Sequence, residues 1–328
     1  MTSTTPTPTP QKEKRETQIV SSRPPIESIG RSTLLRWANR TFKADKKTHT
    51  GQPRPMSVSR LAATASPNLR RPLFLIGAPR SGTTFLGKCL ASLPQISYHF
   101  EPIATKASAR YVYDHTWSIT QAQWFYKTVY KWLLRIHHNG DLRFAEKTPR
   151  NCLIVPFLAQ TFPEAQFIHI IRDGRDVALS LSKKPWFLAS EANLGRYEPG
   201  GYPYGPYAQF WVEPERREEF EATSDMHRCI WVWKRFTETA LASINQLPNQ
   251  RYLEIRYESL VFEPEKSTEK LKNFLEIENK EAAQSFQQAI SQANPSLSGQ
   301  WKKQLSERQL SEIYQEANPL LSSLGYID

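Results

Sequence analysis

Cysteine, methionine and glycine are scarce in this chain of 328 residues, which holds three, three and thirteen of them. Cys89, Cys152 and Cys229 are odd in number, far apart and form no CxxC pair. That excludes a disulfide framework and a thiolate zinc site, and leaves small core residues in a reducing compartment as the expectation. No apolar run approaches the roughly 18–20 residues that a membrane span requires. The opening MTSTTPTPTPQKEKRE has no apolar core, so no secretory signal is expected and the chain reads as cytoplasmic. Acidic residues are scarce only at the start. Residues 1–70 hold 13 Lys/Arg against 4 Asp/Glu, and the rest holds 30 against 28. The formal charge of +11 therefore belongs to the leading arm, and the body is not expected to bind nucleic acid. No cluster of ligands at metal-binding spacing is legible, so no metal is expected.

What is present divides at residue 71. Residues 1–70 read as a basic, Thr/Pro-containing arm, largely disordered, with 1–16 the most polar part and Gly51–Pro67 a second linker. Within it, Arg31–Lys43 has helical periodicity. Leu34, Leu35, Trp37, Ala38 and Phe42 share one face, with Arg36, Arg40 and Lys43 opposite. This face has two readings, a weak membrane-surface or partner contact and an accessory helix packed on the domain.

From 71 to 328 strands alternate with helices. Strands are expected at Leu73–Ile76, Gln95–Phe100, Gln166–Ile171 and Arg251–Arg256. Helices are expected at Thr83–Leu93, Thr120–His137, from Asp176, at Met226–Ile244, near Pro264–Phe274, and at Lys280–Ala293 and Glu307–Leu324. Trp124, Val129, Trp132, Leu133 and Ile136 form the expected buried side of the second helix. The pattern gives an α/β fold, a central parallel sheet of the P-loop type with helices on both faces. In such sheets ligands bind beyond the carboxyl ends of the strands. Residues 183–225, rich in Gly, Pro and aromatics, are too long for a connector and suit an ordered lid.

Four strand ends carry charge. Leu73–Leu86, LFLIGAPRSGTTFL, is a buried strand, a loop and a helix start, a geometry that aims backbone N–H groups at one anion. It follows the Walker A pattern except that Thr83 stands in place of the Lys. Here Arg80 can fork onto a phosphate or sulfate, while Ser81, Gly82, Thr83 and Thr84 offer close backbone approach, hydroxyls and amides. Glu101, in SYHFEP, can take a proton from a substrate hydroxyl, or be an ordinary surface or capping glutamate; His99 is a competing base. Lys147, in AEKTPRN, can neutralise charge on a leaving oxygen, or simply end a strand. In FIHIIRDGRDVALSL, Arg172 ends a strand and Ser180 follows eight residues later, so that both can address one phosphate. Asp173 and Arg175 read as a solvated turn or local ion pair.

The pair PRSGTTFL and IIRDGRDVALS resembles the two phosphate sites of sulfotransferases that use 3′-phosphoadenosine 5′-phosphosulfate (PAPS). Glu101, 21 residues after Arg80, is similar in placement to the catalytic glutamate of the tyrosylprotein and related bacterial branch. EKTP at Glu146–Pro149, IRYESLVFEPEKSTEKLKNFL at Ile255–Leu275 and SGQWKKQLS at Ser298–Ser306 resemble further blocks, and the likeness spans about residues 71–310. The resemblance implies that Arg80 to Thr84 hold the 5′-phosphosulfate and that Arg172 and Ser180 hold the 3′-phosphate. It implies that Tyr257 approaches the adenine nucleotide, and that Ser298 and Lys302 lie in a loop closing over it. The implied reaction is transfer of a sulfuryl group to a hydroxyl of a carbohydrate, phenol, lipid or tyrosyl acceptor. Glu101 would serve as general base, with Lys147 and Arg80 stabilising charge. The alternatives are a P-loop small-molecule kinase, which the missing loop Lys disfavours, and a non-catalytic nucleotide- or partner-binding module.

Overall fold

The structure, a computed structural model, describes residues 31–49, 54–198 and 201–327. Its centre is a five-stranded parallel sheet of β1 (Leu73–Ile76), β2 (Ile96–Phe100), β3 (Arg143–Lys147), β4 (Gln166–Ile171) and β5 (Tyr252–Arg256). The spatial order is β2-β3-β1-β4-β5. All ten residues of β1 and β4, LFLI and QFIHII, are buried, and eight of them are apolar. This is the run of apolar residues that a sheet covered on both faces requires.

Before the third strand lie α1 (Arg31–Thr48), α2 (Val58–Ala65), α3 (Thr83–Ala91), α4 (Ile103–Tyr113) and α5 (Ile119–Ile136). Then follow α6 (Val155–Thr161), α7 (Gly174–Leu181), α8 (Arg217–Ala222) and α9 (Asp225–Ile244). The chain closes with α10 (Tyr257–Phe262), α11 (Pro264–Leu275), α12 (Lys280–Ile290), α13 (Trp301–Gln304) and α14 (Glu307–Ser323). Side chains alternate across each strand, so the core divides in two. Phe74, Ile76, Phe144 and Phe167 join α1, α4 to α7, α9 and α14. Leu73, Leu75, Ala145, Ile168 and Ile170 join α3 and α10 to α12.

Register sets the site. Phe100 pairs with Lys147, Leu75 with Lys147, Ile76 with His169 and Ile171 with Arg256. Glu101, the loop after Ile76, Arg172 and Tyr257 therefore leave the sheet along one edge. The order reverses about β1, with β3 and β2 on one side and β4 and β5 on the other, which makes this edge the switch point where ligands bind.

The expected disordered arm is corrected in part. Residues 1–30, with the Thr/Pro-rich 1–16, lie outside the described residues. Residues 31–48 form α1, whose Leu34, Ala38, Thr41 and Asp45 repeat at helical spacing and are buried. Leu34 and Ala38 of its apolar face are buried in the core, with Trp37 and Phe42 packed against them, as in the accessory-helix reading, while Leu35 stays 58% exposed. Positions 54–67 of the expected linker hold α2, capped by Ser57 and anchored by Arg60, which donates to the His138 carbonyl at 2.8 Å. Trp124 and Trp132 are 63% and 46% exposed, against expectation. The face of α5 instead buries Tyr126 and Tyr130, and the Tyr126 hydroxyl satisfies its polar end on the Thr105 carbonyl at 3.1 Å. Residues 183–198 and 201–225 are ordered, with Phe187, Tyr202, Phe210, Trp211 and Phe220 in the core.

Candidate active site

After β1 the chain turns sharply. Ser81 N donates to the Ala78 carbonyl at 3.1 Å, and Arg80 and Gly82 have φ of 72° and 94°. Gly82 tolerates that left-handed conformation, and its missing Cβ also makes room: one would sit 2.5 Å from Tyr257 Cδ2. No side chain caps the amino end of α3 among the described residues. Its first amides are thus free to meet an anion, with the helix dipole adding to the attraction. Ser81 Oγ is buried with no hydrogen-bond partner among the described residues.

The end of β4 supplies the second half. Arg172 is 7% exposed, donates to the Arg80 carbonyl at 3.1 Å and to the Leu297 carbonyl, and lies 4.6 Å from the centre of the Tyr257 ring. Its Nε is buried and unpaired among the described residues. Ser180, on the following helix, accepts from Arg80 Nε at 3.0 Å. The loop at Gly82, Arg172, Ser180 and Tyr257 thus form one cationic cradle. Burial first, and then the Arg172 charge, press the Arg80 guanidinium below its ordinary range. An anion between them relieves that repulsion.

The third part is Glu101, which leaves β2 with φ of 40° and turns out of the strand direction. Its carboxylate accepts from Lys147 Nζ and, at 3.1 Å, from Lys106 Nζ. Burial opposes ionisation of Glu101, but Lys106 and Lys147 outweigh it and hold the carboxyl below its ordinary range. Lys147 is 1% exposed with its ammonium 4.1 Å from the centre of the Phe100 ring. Burial pushes its pKa down although Glu101 supports the charge.

Glu101, Arg80 and Thr84 open on one cavity of about 330 Å³. Its walls include Trp186, Phe187, Trp211, Val232 and Phe236. Its polar side is an internally paired set. Glu198 accepts from Arg150 at 2.8 Å and from Gln209 at 2.9 Å, and Trp211 Nε1 donates to Gln209 at 3.0 Å. The long segment after Lys183 therefore walls the cavity.

Arg80, Ser81, Gly82, Thr83, Thr84, Glu101, Lys147, Arg172, Ser180 and Tyr257 all lie along this edge. The closing loop is partly joined to it. Asp176, on α7, accepts from Gly299 N at 2.7 Å and Trp301 N at 3.0 Å, which draws residues 297–301 over Arg172. Ser298 follows the carbonyl that Arg172 uses. Lys302 is exposed, its ammonium 5.7 Å from the centre of the Trp301 ring, and no contact ties it to Arg172 among the described residues. His99 is not a base here. It is fully buried and bonded to Asp45 and Ser97. Glu146 faces the other side of β3 from Lys147, accepts from Asn151 at 2.7 Å, and is raised by burial to about 7. The Asp173–Arg175 pair is a buried ion pair, not a solvated turn.

Two contributors escaped the sequence reading. Lys106 lies one turn into α4, five residues past Glu101, and EPIATK holds that spacing in plain view. Asp176 was read only as a helix start, and its partners lie more than 120 residues away.

The family model described as "Sulfotransferase family" matches residues 72–281. The chain is 25% identical over 220 residues to a Caenorhabditis briggsae protein named "Putative protein-tyrosine sulfotransferase", covering 64% of this chain and 67% of that one. It is 21% identical over 222 residues to Protein-tyrosine sulfotransferase A of Caenorhabditis elegans, covering 62% of this chain and 50% of that one. The match thus spans half to two thirds of those relatives. In fold it is similar to the crystal structure of sulfotransferase STF9 from Mycobacterium avium, with a TM-score of 0.53 and 13% identity over 92% of this chain and 87% of that one.

Proposed function

This chain belongs to the sulfotransferase family, and from that premise we propose that it moves a sulfuryl group from PAPS to a phenolic hydroxyl, with a tyrosyl side chain as the acceptor class. The observation that carries the reading is a juxtaposition. The anion cradle at the head of α3 and the Glu101 carboxylate open on the same aromatic-walled cavity.

The residues present fit the donor. The uncapped start of α3, the unpaired Ser81 Oγ and the Arg80 guanidinium suit a 5′-phosphosulfate. The unpaired Nε of Arg172 suits a 3′-phosphate, which ATP lacks, and the Ser180 hydroxyl, held by Arg80, lies on the helix that follows it. In the transfer, the acceptor oxygen bonds to sulfur as the bond from sulfur to the bridging phosphate oxygen breaks. The acceptor proton passes to Glu101, and 3′-phosphoadenosine 5′-phosphate (PAP) departs. Arg80 and Lys147 sit where negative charge gathers on the transferring and leaving oxygens, the electrostatic part of such a displacement.

Glu101 also bears on the acceptor. Two ammonium groups keep it ionised and weakly basic. A weak base works best on an acidic hydroxyl, and a phenol, with pKa near about 10, is far more acidic than an aliphatic alcohol. The names of the curated relatives and the aromatic walls of the cavity agree with that choice. Calorimetry with PAP and with ATP–Mg²⁺ tests the donor assignment. Tight binding of PAP with little or none of ATP–Mg²⁺ is expected, and the reverse order would support a kinase instead.

A further inference from the structure

Away from this site, the end of α1 meets β2 and the end of α5 through one aspartate and three histidines. Asp45 and His49 lie four apart, on one face at the carboxyl end of α1. His99 comes from β2, and His137 caps α5. One ring nitrogen of each histidine and one carboxylate oxygen of Asp45 lie within 4.8 Å of one another. Asp45 Oδ2 is 3.0 Å from His99 Nδ1 and 2.7 Å from His137 Nε2, and the His49 and His137 rings stack at 3.8 Å. Asp45 and His99 are 4% and 0% exposed.

We propose that Asp45, His49, His99 and His137 form a binding site for a divalent zinc-class ion that pins α1 to the strand leading into Glu101. Three imidazoles and one carboxylate are a donor set that Zn²⁺ accepts, and tetrahedral bonds of about 2.0–2.1 Å put ligand atoms about 3.3 Å apart. The two contacts of Asp45 Oδ2 fall a little inside that spacing, and ligation asks the carboxylate to draw back slightly and the stacked His49 and His137 rings to splay so that both lone pairs converge on the ion. The outer contacts suit ligation as well. His49 Nδ1 lies 3.2 Å from the Tyr98 carbonyl, an acceptor that only a protonated nitrogen can use. That leaves the Nε2 lone pair for a ligand; Asn139 Nδ2 now meets it at 3.2 Å. His99 turns its second nitrogen to Ser97 Oγ at 3.1 Å. Holding the far nitrogen of a ligating histidine by a carbonyl or hydroxyl fixes its tautomer and orientation. Because His99 precedes Glu101 by two residues, an ion here steadies the end of β2 and the α1 segment beside it. It takes no part in the transfer itself.

The test uses the full chain, stripped with chelator and titrated with Zn²⁺ alone. One ion per chain, bound more tightly than about 1 µM, is expected. His137→Gln and Asp45→Asn should each weaken it by at least about tenfold, while His115→Gln leaves it unchanged. Replacing Zn²⁺ with Co²⁺ in the unaltered chain gives a readout that needs no variant. The intense visible bands of a tetrahedral site are expected. No stoichiometric uptake, uptake unchanged in both variants, or only the weak bands of six-coordinate Co²⁺ would each overturn the proposal.

Discussion

Replacing Gly82 with alanine should damage stability and donor binding together, because one added carbon meets two separate obstacles. Gly82 has φ of 94°, and an L-residue held in left-handed backbone costs about 1–2 kcal/mol. The new Cβ would also lie 2.5 Å from Tyr257 Cδ2, 3.0 Å from its Cε2 and 3.2 Å from Ile170 Cδ1. Forcing a methyl into such packing costs about 1–3 kcal/mol. The sum, about 2–5 kcal/mol, is a large share of the roughly 5–15 kcal/mol that holds a typical domain folded. Tyr257 cannot yield freely. It is 4% exposed, and the Arg172 guanidinium rests on its ring. Relief of the clash therefore moves the group assigned to the 3′-phosphate. Urea unfolding of Gly82→Ala should show a lower midpoint, and calorimetry should show PAP bound at least about tenfold more weakly, each factor of ten being about 1.4 kcal/mol. The double variant Gly82→Ala with Tyr257→Leu should recover the packing share of the stability loss but not the backbone share. Wild-type midpoint and PAP affinity in Gly82→Ala would refute the reasoning.

Two further outcomes follow from the charges. Arg172→Ala should weaken PAP by roughly 10- to 100-fold, the worth of charge-assisted hydrogen bonds at about 1.5–3 kcal/mol, while 5′-AMP, which lacks the 3′-phosphate, changes little; calorimetry with both nucleotides decides it. Glu101 is held below its ordinary pKa of 4.5, so its contributions to activity and to stability are both in force above that value and fade only as pH falls through the lower folded value. The acid limb of kcat/KM should lie below 4.5 in the wild type. Lys106→Met, which removes one of the two opposing charges and leaves burial in place, should move it upward; an unmoved limb would argue against Glu101 as the titrating base.

The cationic cradle was legible because its signals are local. LFLI, the loop and the start of α3 are contiguous, as are FIHII, Arg172 and Ser180, and in each the strand, turn and helix are written in under 20 residues. Glu101 and Lys147 were legible as charges at strand ends, and the parallel register of β2 and β3 then makes them neighbours. Lys106 apart, what escaped depends on distant partners. The α1 helix reads as part of a basic arm until Asp45 meets His137, 92 residues on. Asp176 reads as a helix start until residues 299 and 301 fold back onto it. On α5 the expected Val129 and Leu133 are buried, but Trp124 and Trp132 are not; the core takes tyrosines instead, and Tyr126 can bond its hydroxyl inside.

Transfer of labelled sulfate from PAPS to a tyrosyl peptide, measured for the wild type and for Glu101→Gln beside PAP affinity, tests the central claim most directly. The account predicts label on the phenolic oxygen with wild type, a fall in kcat of about 10²–10⁴ with Glu101→Gln, and nearly unchanged PAP binding. Loss of the Glu101 charge also leaves the buried Lys147 short of its partner, so the variant should unfold at lower urea, and turnover is compared well below that midpoint. Equal turnover by the folded variant would remove Glu101 from the chemistry, and no labelled product from a wild type that binds PAP would contradict the account.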